Sequence, residues 1–316
     1  VKGGADMDKE QFAKNLERPK GKIDVVLDTD AYNEIDDQFA ISYMLTYPEK
    51  LNVKGICAAP FLNEKSTSPE DGMEKSFDEI IKLLKLARKE EMSGIVYKGS
   101  TKYLDDEATP VDSPAARFMA SLADEYSPEK PLYIAAIGAI TNVASAFLMN
   151  PKMAENCVVV WLGGNAESSP WAASEFNMMQ DIAAARVVFG SGVPLVMLPC
   201  MGVVDHFATG RWELEHFLAG RGPLCDYLAQ NTINEAERIS AWKAWTRVIW
   251  DVTAIAWLID ENCLYMLDEK RPRFMPTYEK KYEYDRERED FVYVYHVYRD
   301  ALFTDLFGRL TYYESL

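Results

Sequence analysis

Residues 24–43 read DVVLDTDAYNEIDDQFAISY. An apolar run rich in β-branched residues ends at Asp28. Asp30, Glu34, Asp36 and Asp37 follow within nine positions, and then the chain turns apolar again. IDVVLD (23–28) suits a buried parallel strand, and DDQFAISYMLTYP carries the apolar spacing of a helix. Acidic residues ahead of a helix serve ordinarily as caps and as partners of the helix dipole. Asp28 and Asp30, however, follow directly on a core strand, where solvent-facing charge is unexpected. Carboxylates that face a common point raise one another's pKa. A hard divalent cation, Ca²⁺ or Mg²⁺, takes oxygen ligands and relieves that repulsion. On this segment alone both readings stand.

Outward from this stretch, strand-like and helix-like segments alternate. LNVKGICAAP (51–60) reads as a second strand and DGMEKSFDEIIKLLKLARKE (71–90) as an amphipathic helix. SPAARFMASLADEY (113–126), TNVASAFLMNP (141–151) and MQDIAAARVVFGSG (179–192) read as helices. Between and after them PLYIAAIGA (131–139), CVVVWLGG (157–164) and VPLVMLPC (193–200) read as strands. Strands this continuously apolar, separated by helices, imply an α/β protein with an open, mostly parallel twisted sheet covered by helices on both faces. Functional residues then collect beyond the carboxyl ends of the strands. Residues 205–260 read as mostly helical, and FVYVYHVYRD (291–300) as a late strand at an edge or in a hairpin. Residues 1–20 read as a peripheral polar segment and 21–316 as one domain.

The formal net charge of −16 opposes binding to phosphate backbones or anionic lipid, and no basic stripe offsets it. No nucleic-acid or membrane partner is expected. Five cysteines without close pairs exclude a CxxC or Cys/His zinc pattern and disfavour a disulfide scaffold. The expected location is cytoplasmic, with export left open by the Val-Lys-Gly-Gly start. A dinucleotide-binding oxidoreductase would need GxGxxG after the first strand, and the loop here is acidic and glycine-free.

DTDAYNEIDDQFAI resembles the DTDPGxDDxxAI signature of the nucleoside hydrolase family, with the loop two residues longer and YNE replacing the Pro-Gly turn. AIGAITNVASAF (136–147) resembles its GPLTNxA segment. GGNAESSPWAASEFNMMQDIAAARVVFGSGVPLVMLP (163–199) resembles its EFNxxxDPxAAxxVxxSGxPxxxxP region, and WDVTAIAWLI (250–259) the segment that supplies its last acidic ligand.

The resemblance implies a Rossmann-like nucleoside hydrolase fold and Ca²⁺ held by Asp30, Asp37, Asp251 and the Thr141 carbonyl. Asp30 matches the general base that takes a proton from the attacking water. Asp36, Asn63, Asn165, Glu175 and Asn177 match positions that hold the sugar. Each has a plain structural competitor: Thr141 caps a helix, Glu175 and Asn177 sit in a loop, and Trp250 packs among aromatic neighbours. Asp28 reads as a support residue.

Pyrimidine-tolerant relatives carry histidine where this chain has Trp250. A tryptophan there resembles the purine-specific branch, in which the ring stacks on the base and favours its protonation. The second tryptophan of that branch has no counterpart between residues 60 and 130. Phe207 and Trp171 are expected near the cavity, and Asp205 and His206 within reach of the substrate. The implied activity is Ca²⁺-dependent hydrolysis of a ribonucleoside, most of all a purine one, by a homodimer or homotetramer. A different N-ribosyl substrate and a noncatalytic sugar-binding protein are the alternatives.

Overall fold

The computed structural model describes residues 7–284 and 288–316. The opening stretch forms strand β1 (Ile23–Thr29), buried from Val25 onward. Its side chains alternate between two hydrophobic clusters: Val25 and Leu27 belong to one, and Val26 to the other. A strand buried on both faces needs no polar face, which is why the apolar run is nearly continuous.

Five more parallel strands follow: β2 (Leu51–Ala58), β3 (Val96–Lys98), β4 (Leu132–Ala136), β5 (Cys157–Leu162) and β6 (Leu195–Leu198). A short antiparallel pair, β7 (Ala208–Thr209) and β8 (Arg247–Val248), lies outside the main sheet. The chain then forms β9 (Met266–Pro272), β10 (Phe274–Pro276), β11 (Tyr282–Tyr284) and β12 (Asp290–Val297). Among the described residues the main sheet has eight strands, in the order β3-β2-β1-β4-β5-β6-β12-β9. β12 runs parallel to β6 and antiparallel to β9.

The helices Asp36–Leu45, Pro223–Ile239, Val252–Ile259 and Arg299–Glu314 pack on one face. Pro114–Leu122, Thr141–Met149 and Ile182–Gly190 cover the other. Strand order reverses at β1, with β2 on one side and β4 on the other. In an open α/β sheet such a reversal opens a crevice at the carboxyl ends of the strands.

The expected α/β architecture is present, with local differences. FVYVYHV forms β12, an interior strand of the sheet, and the edge is β9, whose Glu269 and Lys270 are exposed. The mixed-charge run 266–284 holds β9, β10 and β11 although no apolar alternation marks it in the sequence. The helix expected over 179–192 is two, Phe176–Gln180 and Ile182–Gly190. It breaks at Asp181, whose side chain caps the second by accepting from the Ala184 N–H. Within 205–260, residues 240–251 are not helical.

Residues 9–15 form a helix, and Arg18 after it donates to Asp260 at 2.9 Å and to Asp268 at 2.6 Å. No helix among the described residues is long and apolar enough to cross a membrane.

Candidate active site

Beyond β1 the chain turns tightly, with the Asn33 N–H donating to the Asp30 carbonyl at 2.7 Å, and enters the helix Asp36–Leu45. Ile35 stands at the cap position and no side chain caps this helix. Asp36 and Asp37 sit in its first turn, where the dipole favours an anion, yet they are buried rather than solvated. Asp251, which opens the helix Val252–Ile259, meets them from the other side. One oxygen each from Asp36, Asp37 and Asp251 lies within 4.8 Å of the others. These three and Asp30 line a cavity of about 230 Å³ at the strand reversal.

Gly138, just past β4, lets the two strand ends approach: a Cβ there would stand 3.0 Å from Asp30 Oδ1. Both Asp30 oxygens and Asp36 Oδ1 are buried with no hydrogen-bond partner. A buried polar atom left unpaired costs about 1–3 kcal/mol, and more when charged.

Burial raises the carboxyls of Asp30, Asp36 and Asp251, and the neighbouring carboxylates raise them further. Asp37 is pushed up to about 6 by burial, although its bonds to Thr29 and Asp251 oppose the shift. Such a cluster needs either shared protons or a cation. Unpartnered oxygen donors, without sulfur or imidazole among the cluster, suit a hard divalent ion. The buried aspartates thus fit a metal.

Asp28 lies one layer behind. It accepts from Asn142 Nδ2 at 2.8 Å, and burial pushes its carboxyl up to about 7. Asn142 also donates to the Ala58 carbonyl, so this amide joins the ends of β1 and β2.

The residues matched to the sugar side divide. Asn165, Glu175 and Asn177 line the cavity. Glu175 is also the cap of the helix Phe176–Gln180: Oε1 accepts from Asn177 N–H at 2.9 Å, and Oε2 from Gly164 at 2.7 Å and Met178 at 3.0 Å. Asn177 Nδ2 donates to the Ile137 and Leu162 carbonyls just past β4 and at the end of β5. Asn165 donates to the Trp171 carbonyl and accepts from Met201. Asn63 and Thr141 are not among the cavity-lining residues. Asn63 donates to Asn33 Oδ1 at 2.6 Å, and the Thr141 hydroxyl to Asp181 at 2.7 Å.

Trp250, beside Asp251, lines the cavity with Phe176, Cys200 and Met201. Cys200 is buried, and its thiol faces Glu175. Neither it nor Met201 carries a sequence signal, since both lie past a strand end whose direction only the fold supplies.

Four residues expected at the site lie outside the cavity lining. Phe207 is a core residue stacked on Phe303 at 4.0 Å between centroids. His206 Nε2 is 2.7 Å from the Val297 carbonyl, its ring stacks on His296, and Asp205 also lies outside the cavity lining. The Trp171 indole is 63% exposed and outside the lining, with only its carbonyl engaged near the site. No histidine among the described residues lines the cavity.

The fold and the acidic site together define a Rossmann-like hydrolase of the nucleoside hydrolase architecture. Residues 25–289 match the family described as "inosine-uridine preferring nucleoside hydrolase", and the chain belongs to that family, as a divergent member. It is similar to a pyrimidine-specific ribonucleoside hydrolase RihA of Salmonella newport, 28% identical over 250 residues that span 71% of this chain and 76% of that protein. A purine-preferring ribonucleoside hydrolase from Gardnerella vaginalis superposes with a TM-score of 0.72 at 19% identity, covering 92% of this chain and 99% of the other. The plant nucleoside hydrolase PpNRh1 superposes with a TM-score of 0.71 at 18% identity, covering 92% and 99%. The protein is accordingly an enzyme, a nucleoside N-ribohydrolase that cleaves an N-glycosidic bond of a small nucleoside-type substrate.

Proposed function

We propose that the chain hydrolyses purine ribonucleosides in a Ca²⁺-dependent reaction, giving ribose and free base. The observation that carries this reading is the set of unpartnered, buried oxygens of Asp30 and Asp36 facing the same cavity as Asp37 and Asp251. Asp30, Asp37 and Asp251 would hold the ion, with the Thr141 carbonyl as the matched fourth ligand. When bound, the ion supplies charge that lowers the pKa of water and orients sugar hydroxyls.

Asp30 is assigned as the base, since neither of its oxygens is spent on a protein donor. Asp36 is assigned to a sugar hydroxyl, which would donate to its free Oδ1. Asn165, Glu175 and Asn177 close the sugar end. Their amides and carboxylate are largely committed to backbone partners, so they shape the wall as well as contact the substrate. As the glycosidic bond stretches, positive charge grows on the ribose ring, and the surrounding carboxylates favour it. The leaving base gains a proton most readily at purine N7, and a ring stacked on Trp250 would have its cationic form favoured. No imidazole among the described residues competes for that role in the cavity lining.

One observation supports a second reading: the curated relatives are named as pyrimidine-specific. Incubation with inosine, adenosine, guanosine, uridine and cytidine, with separation of free base from nucleoside, tests the assignment. Faster release from the purine members supports it, and faster release of uracil or cytosine replaces purine by pyrimidine. Binding of ribose without release of any base would make the chain a sugar-binding protein.

A further inference from the structure

We infer that the lengthened loop takes over a sugar contact: Asn33, rather than the family-matched Asn63, presents the amide that donates to a ribose hydroxyl. The inference rests on the ribonucleoside reading above and assigns a specificity-determining residue to it.

The two asparagines are joined side chain to side chain, and the direction of the bond between them is fixed. Asn63 Oδ1 accepts from the Lys65 backbone N–H at 2.8 Å. Its Nδ2 must therefore be the group that meets Asn33 at 2.6 Å, which makes Asn33 Oδ1 the acceptor. Both ends of the Asn63 amide are then used, and the residue is absent from the cavity lining. Asn33 lies in that lining with only 7% of its surface exposed, and its Nδ2 has no protein acceptor among the described residues. An amide held at its oxygen presents its N–H₂ on the opposite edge, so a buried residue keeps a donor without a protein partner in the lining of a cavity otherwise dominated by acceptors.

The loop that carries it is tied at several points. The Asn33 N–H donates to the Asp30 carbonyl, Tyr32 N–H to Ser76 Oγ at 3.3 Å, and Gln38 Nε2 to the Ala31 carbonyl at 3.4 Å. Glu34, which also lines the cavity, is held by Arg247 Nη2 at 2.7 Å. A donor fixed this way needs little reorganisation when a hydroxyl arrives. The added residues thus place Asn33 between Asn63 and the substrate, and Asn63 becomes a positioning residue.

Kinetics on inosine, 2'-deoxyinosine and 3'-deoxyinosine test this with Asn33→Ala, Asn33→Asp and Asn63→Ala. Asn33→Asp retains an oxygen that accepts from Asn63 but trades the donor for an acceptor and adds a charge beside the other carboxylates, so Asn33→Ala is the variant that removes the donor without adding charge. Melting temperatures report whether each variant folds. On inosine Asn33→Ala should lose about tenfold in kcat/KM, as expected for one lost hydrogen bond, and Asn33→Asp at least as much. On whichever deoxynucleoside lacks the partner hydroxyl the Asn33→Ala loss should shrink to about twofold, whereas Asn63→Ala should lose the same factor on all three substrates. Equal losses on all three for both Asn33 variants, or a hydroxyl-dependent loss in Asn63→Ala alone, would overturn the inference. If the wild-type chain releases no base, the proposed reaction fails. Calorimetric titration of wild-type and Asn33→Ala protein with ribose, 2-deoxyribose and 3-deoxyribose then decides the contact on the same criterion.

Discussion

A Cβ on residue 138 would stand 3.0 Å from Asp30 Oδ1, so the glycine after β4 and the aspartate after β1 are fitted to each other. Two parallel strand ends splay around the crevice here, and the carboxylate occupies space that any side chain would contest. Gly138→Ala forces Asp30 to shift by a few tenths of an ångström. A small misplacement of a catalytic group is expensive. We expect kcat to fall about tenfold or more while the thermal midpoint moves little, checked by steady-state kinetics alongside calorimetry. Unchanged kcat would show that Asp30 has slack.

Asp30→Asn separates base from ligand. Loss of a general base costs about 10²–10⁴-fold in rate. Ribose binding should weaken by far less. Equal loss of turnover and ribose binding, measured by kinetics and calorimetry, would indicate collapse of the metal site and leave the base role unsupported.

The pH dependence of the metal-free protein has a definite sign. Burial and neighbouring carboxylates raise the Asp30, Asp36, Asp37 and Asp251 carboxyls above their unfolded values, Asp37 to about 6. A group whose folded pKa is raised contributes stability at low pH and loses it as pH rises through the folded value. In chelator the melting temperature should therefore fall as pH rises from the ordinary carboxylate range through about 6, where Asp37 ionises, and go on falling as the other three ionise. Calcium held at this site would favour the ionised cluster, so the stabilisation it adds should grow over the same range. Scanning calorimetry at several pH values with and without Ca²⁺ checks both trends, and a calcium increment that is flat with pH would contradict them.

Trp250→Phe keeps an aromatic face and Trp250→Ala removes it. Base stacking is worth about 1–3 kcal/mol. The alanine variant should lose about tenfold or more in kcat/KM on inosine and the phenylalanine variant only a few-fold. Equal losses for both would assign Trp250 to packing.

The first strand, its acidic loop and the alternation of helices were legible because continuous apolar runs and acidic residues beyond a core strand each have few physical explanations. Asp30, Asp37 and Asp251 could be grouped only through the family pattern, since nothing local brings residues more than two hundred positions apart together. The structure clusters Asp36 with Asp37 and Asp251, and Asp30 lines the same cavity. The exchange between Asn63 and Asn33 was not legible at all. Both are loop asparagines, and which one faces the cavity depends on the path of five residues, AYNEI, over the loop after β2. Phe207 and His206 follow a strand end, as site residues do, but the turn after β6 directs them into the core and toward β12. Strand β9 was hidden by its charge, because pairing at a sheet edge leaves one face free to be polar, and β10 and β11 are too short, at three residues each, to show an alternation.

The central claim is that the buried aspartates beside β1 hold a divalent ion on which hydrolysis depends. Turnover of inosine, followed by release of hypoxanthine, should fall by at least about a hundredfold after exhaustive treatment with chelator and return on addition of Ca²⁺. Full turnover by protein verified to be free of divalent metal would contradict the account.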